Sequence, residues 1–571
     1  MFSSKFMTHA SCTGLLAASL LCCMPVQAAW IQVCPTTIAA ATGPEAQILR
    51  PDGASLQAVV SDMPAAQPCE QMKLDIPARD IRALRPITPS MAADLGVLFS
   101  LSGKVEGEHF LISEITPGKT TGQQMPASHP FPLSRNLLAS LRGTRFGAEN
   151  RVDVFAKDGQ LIVQCRAGQL PAGVVLDSTS YLPRARVELQ IRGSGKGSFN
   201  IITANAAQAA SGSGAPLGFF EAQPRGQTQA YKLEEASTRA DWRHWTIACP
   251  AESARLKLES LQLVSQPRAL PPRAAWVWQA SEWQARPEAV FELAKKYGVS
   301  TLYITIALAA GSVGNPEQLT AFVKRAGKAG LAVWAVDGDP NMGRPSERTA
   351  TLERARAYAR FNNAVPPDAR LQGVQFDVEP YLLPGHDLAA QGWEQHYQEL
   401  VKALHASLGE SKAGMALEMV VPFWWADKQS LLDTLAPWIN SLAVMDYRTD
   451  SEEIYRFAVP FLDWSERHGK AVRIALEAGS IAPETRYRYE KATVGELWQI
   501  QLGQQPFLLL LKQPRKNPHG VAFHLTNTFE INGSATTFQG DSAKLLRQLG
   551  ELETAFSAWP GFAGMALHEI R

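Results

Sequence analysis

The spacing of apolar and polar residues changes character along this 571-residue chain. Between 151 and 266 apolar residues alternate with polar ones in Val152-Asp-Val-Phe155, Leu161-Ile-Val-Gln-Cys165, Arg186-Val-Glu-Leu-Gln-Ile191, Ser198-Phe-Asn-Ile-Ile202, Trp242-Arg-His-Trp-Thr-Ile247 and Ala254-Arg-Leu-Lys-Leu-Glu-Ser-Leu-Gln-Leu263. A period of two puts successive side chains on opposite faces of a strand. Short strands separated by Gly, Ser and Asn turns predict an antiparallel β-sandwich over 151–266. Trp242, Trp245 and Tyr231 belong to this segment and are expected to fill its core or back its sheet, with ligand stacking as the alternative.

Beyond a proline-stiffened linker at 267–273 the pattern becomes one of near-continuous apolar runs separated by helical periodicity. The runs are Ala275-Trp-Val-Trp278, Thr301-Leu-Tyr-Ile-Thr-Ile306, Leu331-Ala-Val-Trp-Ala-Val336, Gly373-Val-Gln-Phe376, Met415-Ala-Leu-Glu-Met-Val-Val421, Leu442-Ala-Val-Met445, Val472-Arg-Ile-Ala-Leu476 and Gly564-Met-Ala-Leu567. Helical patterns cover 287–297, 316–329, 346–361, 393–408, 452–467 and 542–556. Apolar strands joined by amphipathic helices mean a parallel sheet covered on its outer face, and eight of them predict a (β/α)8 TIM barrel over 274–571 without a helix after strand eight. Residues 483–540 break the alternation and read as an insertion between strands seven and eight. It holds a helix-like piece at 493–502, strand-like runs at 506–511 and 520–525, and a turn at Asn532-Gly533. The 29–150 region is β-rich, with runs at 96–101 and 109–113, and its pattern does not specify a fold.

Charge and cysteine usage narrow the classes. Fifty-five basic residues balance 54 acidic ones, with no concentrated Lys/Arg stretch, which argues against a nucleic-acid partner. Residues 1–28 read as a secretory leader: Lys5, the apolar run Gly14 to Met24, and Val26-Gln27-Ala28 before a cleavage point at Ala29. A lipid anchor at Cys22 or Cys23 is the alternative. No later apolar run of about 18 residues predicts a membrane span, so a periplasmic or secreted protein is expected. Of seven cysteines, Cys12, Cys22 and Cys23 leave with the leader; Cys34, Cys69, Cys165 and Cys249 remain. An even number in an exported chain predicts two disulfides, most simply Cys34–Cys69 and Cys165–Cys249 among three pairings.

Chemistry in such barrels gathers at the C-terminal strand ends. The acids there are Asp377 and Glu379 after strand four, Asp446 after strand six, Glu477 after strand seven and Glu569 after strand eight. Alternation puts Gln375, Asp377 and Glu379 on one side, and two acids in a desolvated mouth let one stay protonated beside a charged partner. Trp278, Trp334, Trp424 and Trp425 lie near strand ends as candidate substrate contacts, with packing as the alternative; Arg448, His568 and Gln375 are further candidates. His386, His396, His524 and His568 have no ligand spacing, and no phosphate loop, dinucleotide fingerprint or Gly-x-Ser-x-Gly elbow occurs, so no metal or cofactor is expected.

Gln372-Gly-Val-Gln-Phe-Asp-Val-Glu379 resembles the strand-four signature of family 18 glycoside hydrolases, chitinases and their relatives, Asp-Gly-x-Asp-x-Asp-x-Glu. Gly373, Asp377 and Glu379 match; Gln372 and Gln375 replace two aspartates. The resemblance implies Glu379 as general acid and Asp377 as the group that orients a substrate N-acetyl oxygen. Met445-Asp-Tyr447 is similar to that family's Met-x-Tyr, which implies Tyr447 beside the reacting sugar, with Arg448 where an aspartate is usual. A second resemblance is to retaining glycosidases with acids on strands four and seven: Glu379-Pro380 as acid/base and Glu477 of Leu476-Glu-Ala-Gly479 as nucleophile, with Val378 where that clan has Asn. The expected function is cleavage or processing of a polysaccharide or glycoconjugate; a silent glycan-binding or scaffold barrel is the rival, as is Asp-x-Glu serving as a structural ion-pair site.

Overall fold

The computed structural model describes residues 28–570 apart from 35–42, 50–54, 66–68, 88, 90–91, 93–94, 96–97, 107–108, 118–128, 212–213, 234–241, 267, 383–391 and 412–413. Residues 1–27 of the leader with its three cysteines, and His386, lie outside the described residues. Contacts divide the chain into two compact units: 1–120, 384–387 and 484–530 form one, and 121–383, 388–483 and 531–571 the other. No described helix is long and apolar enough to cross a membrane.

The first unit is built of two antiparallel sheets. Glu45–Leu49, Ser55–Ser61, Ala29–Cys34 and Glu70–Leu74 form the smaller. The larger has seven strands in the order Ile81–Pro86, Gln505–Arg515, Gly495–Leu502, Gly520–Ile531, Glu484–Ala492, Leu98–Glu106 and His109–Pro117, so strands from the N-terminal region and from the insertion share one sheet. Ile31, Val33, Val60 and Leu74 of the small sheet bury against Trp498, Ile500, Phe507 and Leu509 of the large one. Cys34 and Cys69 are bonded. The helix expected at 493–502 is a strand, Gly495–Leu502. Its Leu, Trp and Ile side chains meet apolar cores on both faces, and ladders to 505–515 and 520–531 take its backbone groups, so pairing overrides the local helical spacing. Gly495 is needed there because a Cβ would stand 2.0 Å from the Phe523 carbonyl oxygen.

The second unit joins an antiparallel module to a closed barrel. The module is organised about the 18-residue strand Val187–Ala204, which pairs with Ala254–Ser265 and Gln227–Lys232 through its first half and with His244–Ala248 and Ala215–Ala222 through its second. The pairing register shifts between Arg192 and Gly193. Tyr231, Trp242 and Trp245 are buried and fill the module's core. Cys165 and Cys249 are bonded.

Eight parallel strands close the barrel: Arg273–Val277, Val299–Thr305, Ala332–Asp337, Gly373–Phe376, Ala416–Pro422, Ser441–Met445, Ala471–Glu477 and Phe562–His568, called strands one to eight below. Helices occupy the connections, among them Pro287–Tyr297, Pro316–Lys328, Arg348–Ala364, Trp393–Leu408, Ser451–His468 and Ser542–Phe556. They bury apolar stripes that include Leu319, Phe322, Leu400, Leu404, Leu462 and Leu549. Inside the barrel the apolar set Ala274, Val336, Val420, Ala443, Ala475 and Ala566 surrounds a polar cluster. There the buried Glu418 of strand five accepts hydrogen bonds from Tyr303, from Gln375 Nε2 at 2.7 Å and from Ser441 Oγ at 2.7 Å. Arg473 lies 3.9 Å away. An acid in the middle of an apolar strand is tolerated because its oxygens are hydrogen-bonded.

The module is fastened to the barrel at Asp463, buried on Ser451–His468, which accepts the Arg184 backbone N–H at 2.7 Å and Trp559 Nε1–H at 2.8 Å.

Candidate active site

Strand four delivers its side chains by simple alternation. Gly373 faces inward, where a Cβ would come within 2.4 Å of the Trp334 ring. Gln375 faces inward and is fully buried, accepting Trp276 Nε1–H at 2.5 Å and donating to Glu418. Asp377 is next on the same side, one layer higher, its N–H bonded to the Asp337 carbonyl at 2.8 Å. Gly338 makes room for this turn of chain, since a Cβ there would lie 2.3 Å from the Asp377 carbonyl oxygen. Glu379 follows, with Val378 buried between the two acids.

The two acids are electrostatically linked. Burial pushes the Asp377 carboxyl up to about 7, the charge of Glu379 pushes the same way, and His568 opposes both. Asp377 Oδ1 is buried with no hydrogen-bond partner among the described residues. Burial also raises Glu379, against the pull of a hydrogen bond from the Tyr381 hydroxyl and of His568. Interacting carboxyls titrate as a pair, and because the Glu379 charge helps to raise Asp377, the shifts favour the proton on Asp377 beside an ionised Glu379. Tyr447 stands among the acids: after burial, the charges of Asp377, Glu477, Glu379 and Glu569 are what raise its hydroxyl. Tyr397, from the helix after strand four, is raised by burial, Asp377 and Glu379.

Strands seven and eight complete the mouth. Glu477 Oε2 meets His568 Nδ1 at 2.5 Å, and its Oε1 accepts the Gly479 N–H at 2.7 Å. The His568 ring packs 5.8 Å from Tyr447, 6.0 Å from Trp278 and 5.9 Å from Trp276 between centroids. Glu569 adopts a φ of 49°, the left-handed region that a glutamate seldom occupies. Trp424 meets Tyr381 edge to face at 5.0 Å, which places it on the Glu379 side.

Other candidate positions stand elsewhere and correct the sequence reading. Asp446 is fully buried and answers to Arg448 and Glu453, not to Asp377 or Glu379; Met445 and Tyr447 face inward, so the residue between them faces out. Arg448 lies over the Phe423 ring at 4.4 Å and donates to the Tyr447 carbonyl at 2.8 Å. Trp425 is buried against Tyr397 and Trp393. Trp334 does point into the barrel, but at the level of Gly373, the first residue of strand four, below the mouth. Gln375 belongs to the internal network rather than to a substrate surface.

Sequence reasoning passed over Tyr381, Tyr397 and Glu418. Tyr381 follows Glu379 by two residues, and Glu418 interrupts an apolar strand; both signals were present in the spacing. Tyr397 carried none, because a tyrosine on an amphipathic helix reads as packing. Among the described residues no group of three or more His, Cys, Asp or Glu side chains is placed to hold a metal.

No protein-family model matches the chain, and no curated protein sequence matches it. Among solved structures, the C-terminal domain of a candidate chitinase from Desulfitobacterium hafniense DCB-2 is similar at 13% identity, with 52% of this chain and 93% of that one covered and a TM-score of 0.31. A family 29 carbohydrate binding module from Piromyces equi is similar at 8% identity, over 21% of this chain and 78% of that one, with a TM-score of 0.18. Likenesses this slight do not establish a shared fold.

Proposed function

We propose that the chain is an exported glycoside hydrolase with a family-18-like (β/α)8 barrel, acting on a polysaccharide or glycoconjugate. The observation that carries this is the pair Asp377 and Glu379 at the strand-four end, each raised by burial, with Tyr447 within reach of their charges and the Tyr447 and Trp278 rings packed on His568. Glu379 in its protonated form gives its proton to the glycosidic oxygen as the bond from the anomeric carbon breaks. The reaction draws on the form in which Glu379 holds the proton and Asp377 is ionised, the reverse of the partition that the Asp377 shift favours; in that form Asp377 orients and stabilises an N-acetyl oxygen that closes on the anomeric carbon. Water then adds at that carbon, and Glu379 takes back a proton, which restores the starting form. Trp278 and Trp424 supply apolar faces for sugar rings.

The test is turnover of soluble and insoluble N-acetylhexosamine oligomers and cell-wall glycans, read as new reducing ends, by the chain beginning at Ala29 and by Glu379→Gln. Turnover by the parent that falls about 100-fold or more in the variant, with unchanged melting temperature, supports the reading. Equal turnover by both forms refutes Glu379 as the acid.

A silent glycan-binding barrel is the second reading, and Gln375 favours it: an amide tied to Trp276 and Glu418 holds no proton to pass to Asp377. Glycan binding by both forms without turnover by either selects that reading. The strand-seven nucleophile is less favoured, because both oxygens of Glu477 are already engaged.

A further inference from the structure

The first unit carries a hollow that has no part in the proposed reaction. Its volume is about 310 Å³, and its lining includes Arg82, Tyr487, Tyr489, Glu496, Leu510 and His524. All six belong to the seven-stranded sheet. The hollow exists because the sheet opens there. Between Gly495–Leu502 and Gln505–Arg515 the ladder pairs Leu497 with Leu510 and then Gly495 with Arg515, so residues 511–514 stand opposite Glu496 alone. Pro514 lies in that stretch and has no N–H to give to a ladder. On the other side of the same strand Leu510 pairs with Ala83 and Leu511 with Ile81, and Arg82 is passed over. Trp498 ties the two sides of the opening together, its Nε1–H meeting the Gly495 carbonyl at 3.1 Å and the Arg515 carbonyl at 3.2 Å. Bulged pairing re-aims side chains, which is why it gathers beside functional sites. Here the two residues left out of the ladder, Arg82 and Glu496, reach the same hollow.

Glu496 is held firmly. Its side chain is 13% exposed; Oε1 accepts the Leu525 N–H at 2.5 Å and Oε2 meets His524 Nδ1 at 3.0 Å. With Nδ1 engaged, the Nε2 edge of the exposed His524 ring is turned away from Glu496. Tyr489 is buried and Tyr487 half-buried in the wall.

These walls select a class of ligand. A purely apolar molecule would strip water from Arg82 and Glu496 and return no hydrogen bond. A polyanion would meet the Glu496 carboxylate. A pyranose ring suits both parts of the wall: its C–H face packs on phenol rings and leucine, and its hydroxyls both donate and accept. At about 310 Å³ the hollow stands at the small end of ligand sites, about 300–1,000 Å³, which suits a single sugar unit.

We propose that this hollow is a glycan-anchoring site separate from the barrel mouth, taking one pyranose unit against Tyr487 with Glu496, His524 and Arg82 at its hydroxyls. The choice of a glycan as ligand rests on the hydrolase reading of the barrel, whereas the hollow itself does not.

The test uses the chain from Ala29 carrying Glu379→Gln, so that ligand survives the titration. Hexaoses of N-acetylglucosamine, glucose and mannose, and a soluble cell-wall glycan, are each titrated, and hydroxyl-radical footprinting at saturation locates the bound sugar. At least one of the four should protect Tyr487 and His524 from oxidation. Adding Tyr487→Ala should weaken that binding about tenfold or more, and Glu496→Gln should weaken it severalfold without lowering the melting temperature. If Tyr487→Ala fails to fold, His524→Ala, an exposed position, replaces it. No protection of Tyr487 and His524 by any of the four, or protection with an affinity that neither variant changes, overturns the proposal. Protection at the hollow without turnover by the parent counts against the hydrolase reading alone; turnover without protection counts against the anchoring site alone.

Discussion

Replacing Asp377 by Asn should make the barrel more stable at alkaline pH, in the opposite sense to the usual loss of a buried polar contact. Asp377 is half-buried with its Oδ1 enclosed and without a hydrogen-bond partner among the described residues, and burial with the nearby Glu379 charge holds the carboxyl at about 7 against an ordinary 3.8. The folded state therefore binds more protons than the unfolded chain between those values. Its contribution is fully present below about pH 4 and is lost as pH rises past 7. Three units at about 1.4 kcal/mol each amount to about 4 kcal/mol at pH 8, an upper bound because Glu379 shares the titration. Asn keeps the shape and carries no charge, so Asp377→Asn should exceed the parent by about 2–4 kcal/mol at pH 8 and match it near pH 4. Urea unfolding at pH 4.5, 6, 7 and 8, followed by circular dichroism, measures the difference. A constant offset at all four, or a variant weaker than the parent at pH 8, would refute the claim that this carboxylate is desolvated.

Further outcomes follow from individual contacts. Tyr381→Phe removes the hydroxyl that donates to Glu379 and holds it down, so the alkaline limb of the kcat/KM profile, where the proton donor is lost, should move to higher pH while the melting temperature changes little. Gly373→Ala drives a methyl to 2.4 Å from the Trp334 ring and 2.5 Å from the Ala416 carbonyl oxygen; overpacking of this kind costs about 1–3 kcal/mol, read as a lowered urea midpoint. Cys165→Ser with Cys249→Ser opens a bridge spanning 84 residues, for which chain entropy predicts a loss of about 4.5 kcal/mol in the antiparallel module, measurable against the parent under oxidising conditions.

Much of the fold was legible because it is written in local periodicity. Period-two alternation marked the antiparallel strands of 151–266, and apolar runs between amphipathic helices marked the eight parallel strands that close into a barrel. The simplest cysteine pairing is the one observed. The 495–502 strand was misread because Leu497, Trp498, Ile500 and Leu502 satisfy a helical spacing as well as a strand buried on both faces, and only the neighbouring ladders distinguish the two. That the insertion and the N-terminal region share a sheet has no local signal at all, since strands 382 to 430 residues apart pair through backbone groups that every residue carries.

By itself the sequence determined which side of strand four Asp377 occupies, because alternation is a property of the extended backbone. It also limited the chemistry to carboxylates, rings and a histidine. Tertiary structure alone decided depth and company. Trp334 and Gln375 face the same interior as Asp377 yet sit below it, engaged with Gly373, Trp276 and Glu418, while Asp446 turns outward into a buried position. Glu477 and His568, 91 residues apart, become one hydrogen-bonded dyad because strands seven and eight are neighbours in a closed barrel. Closure sets how far along the axis each residue lies and which strand ends meet, and no periodicity within a single segment encodes either.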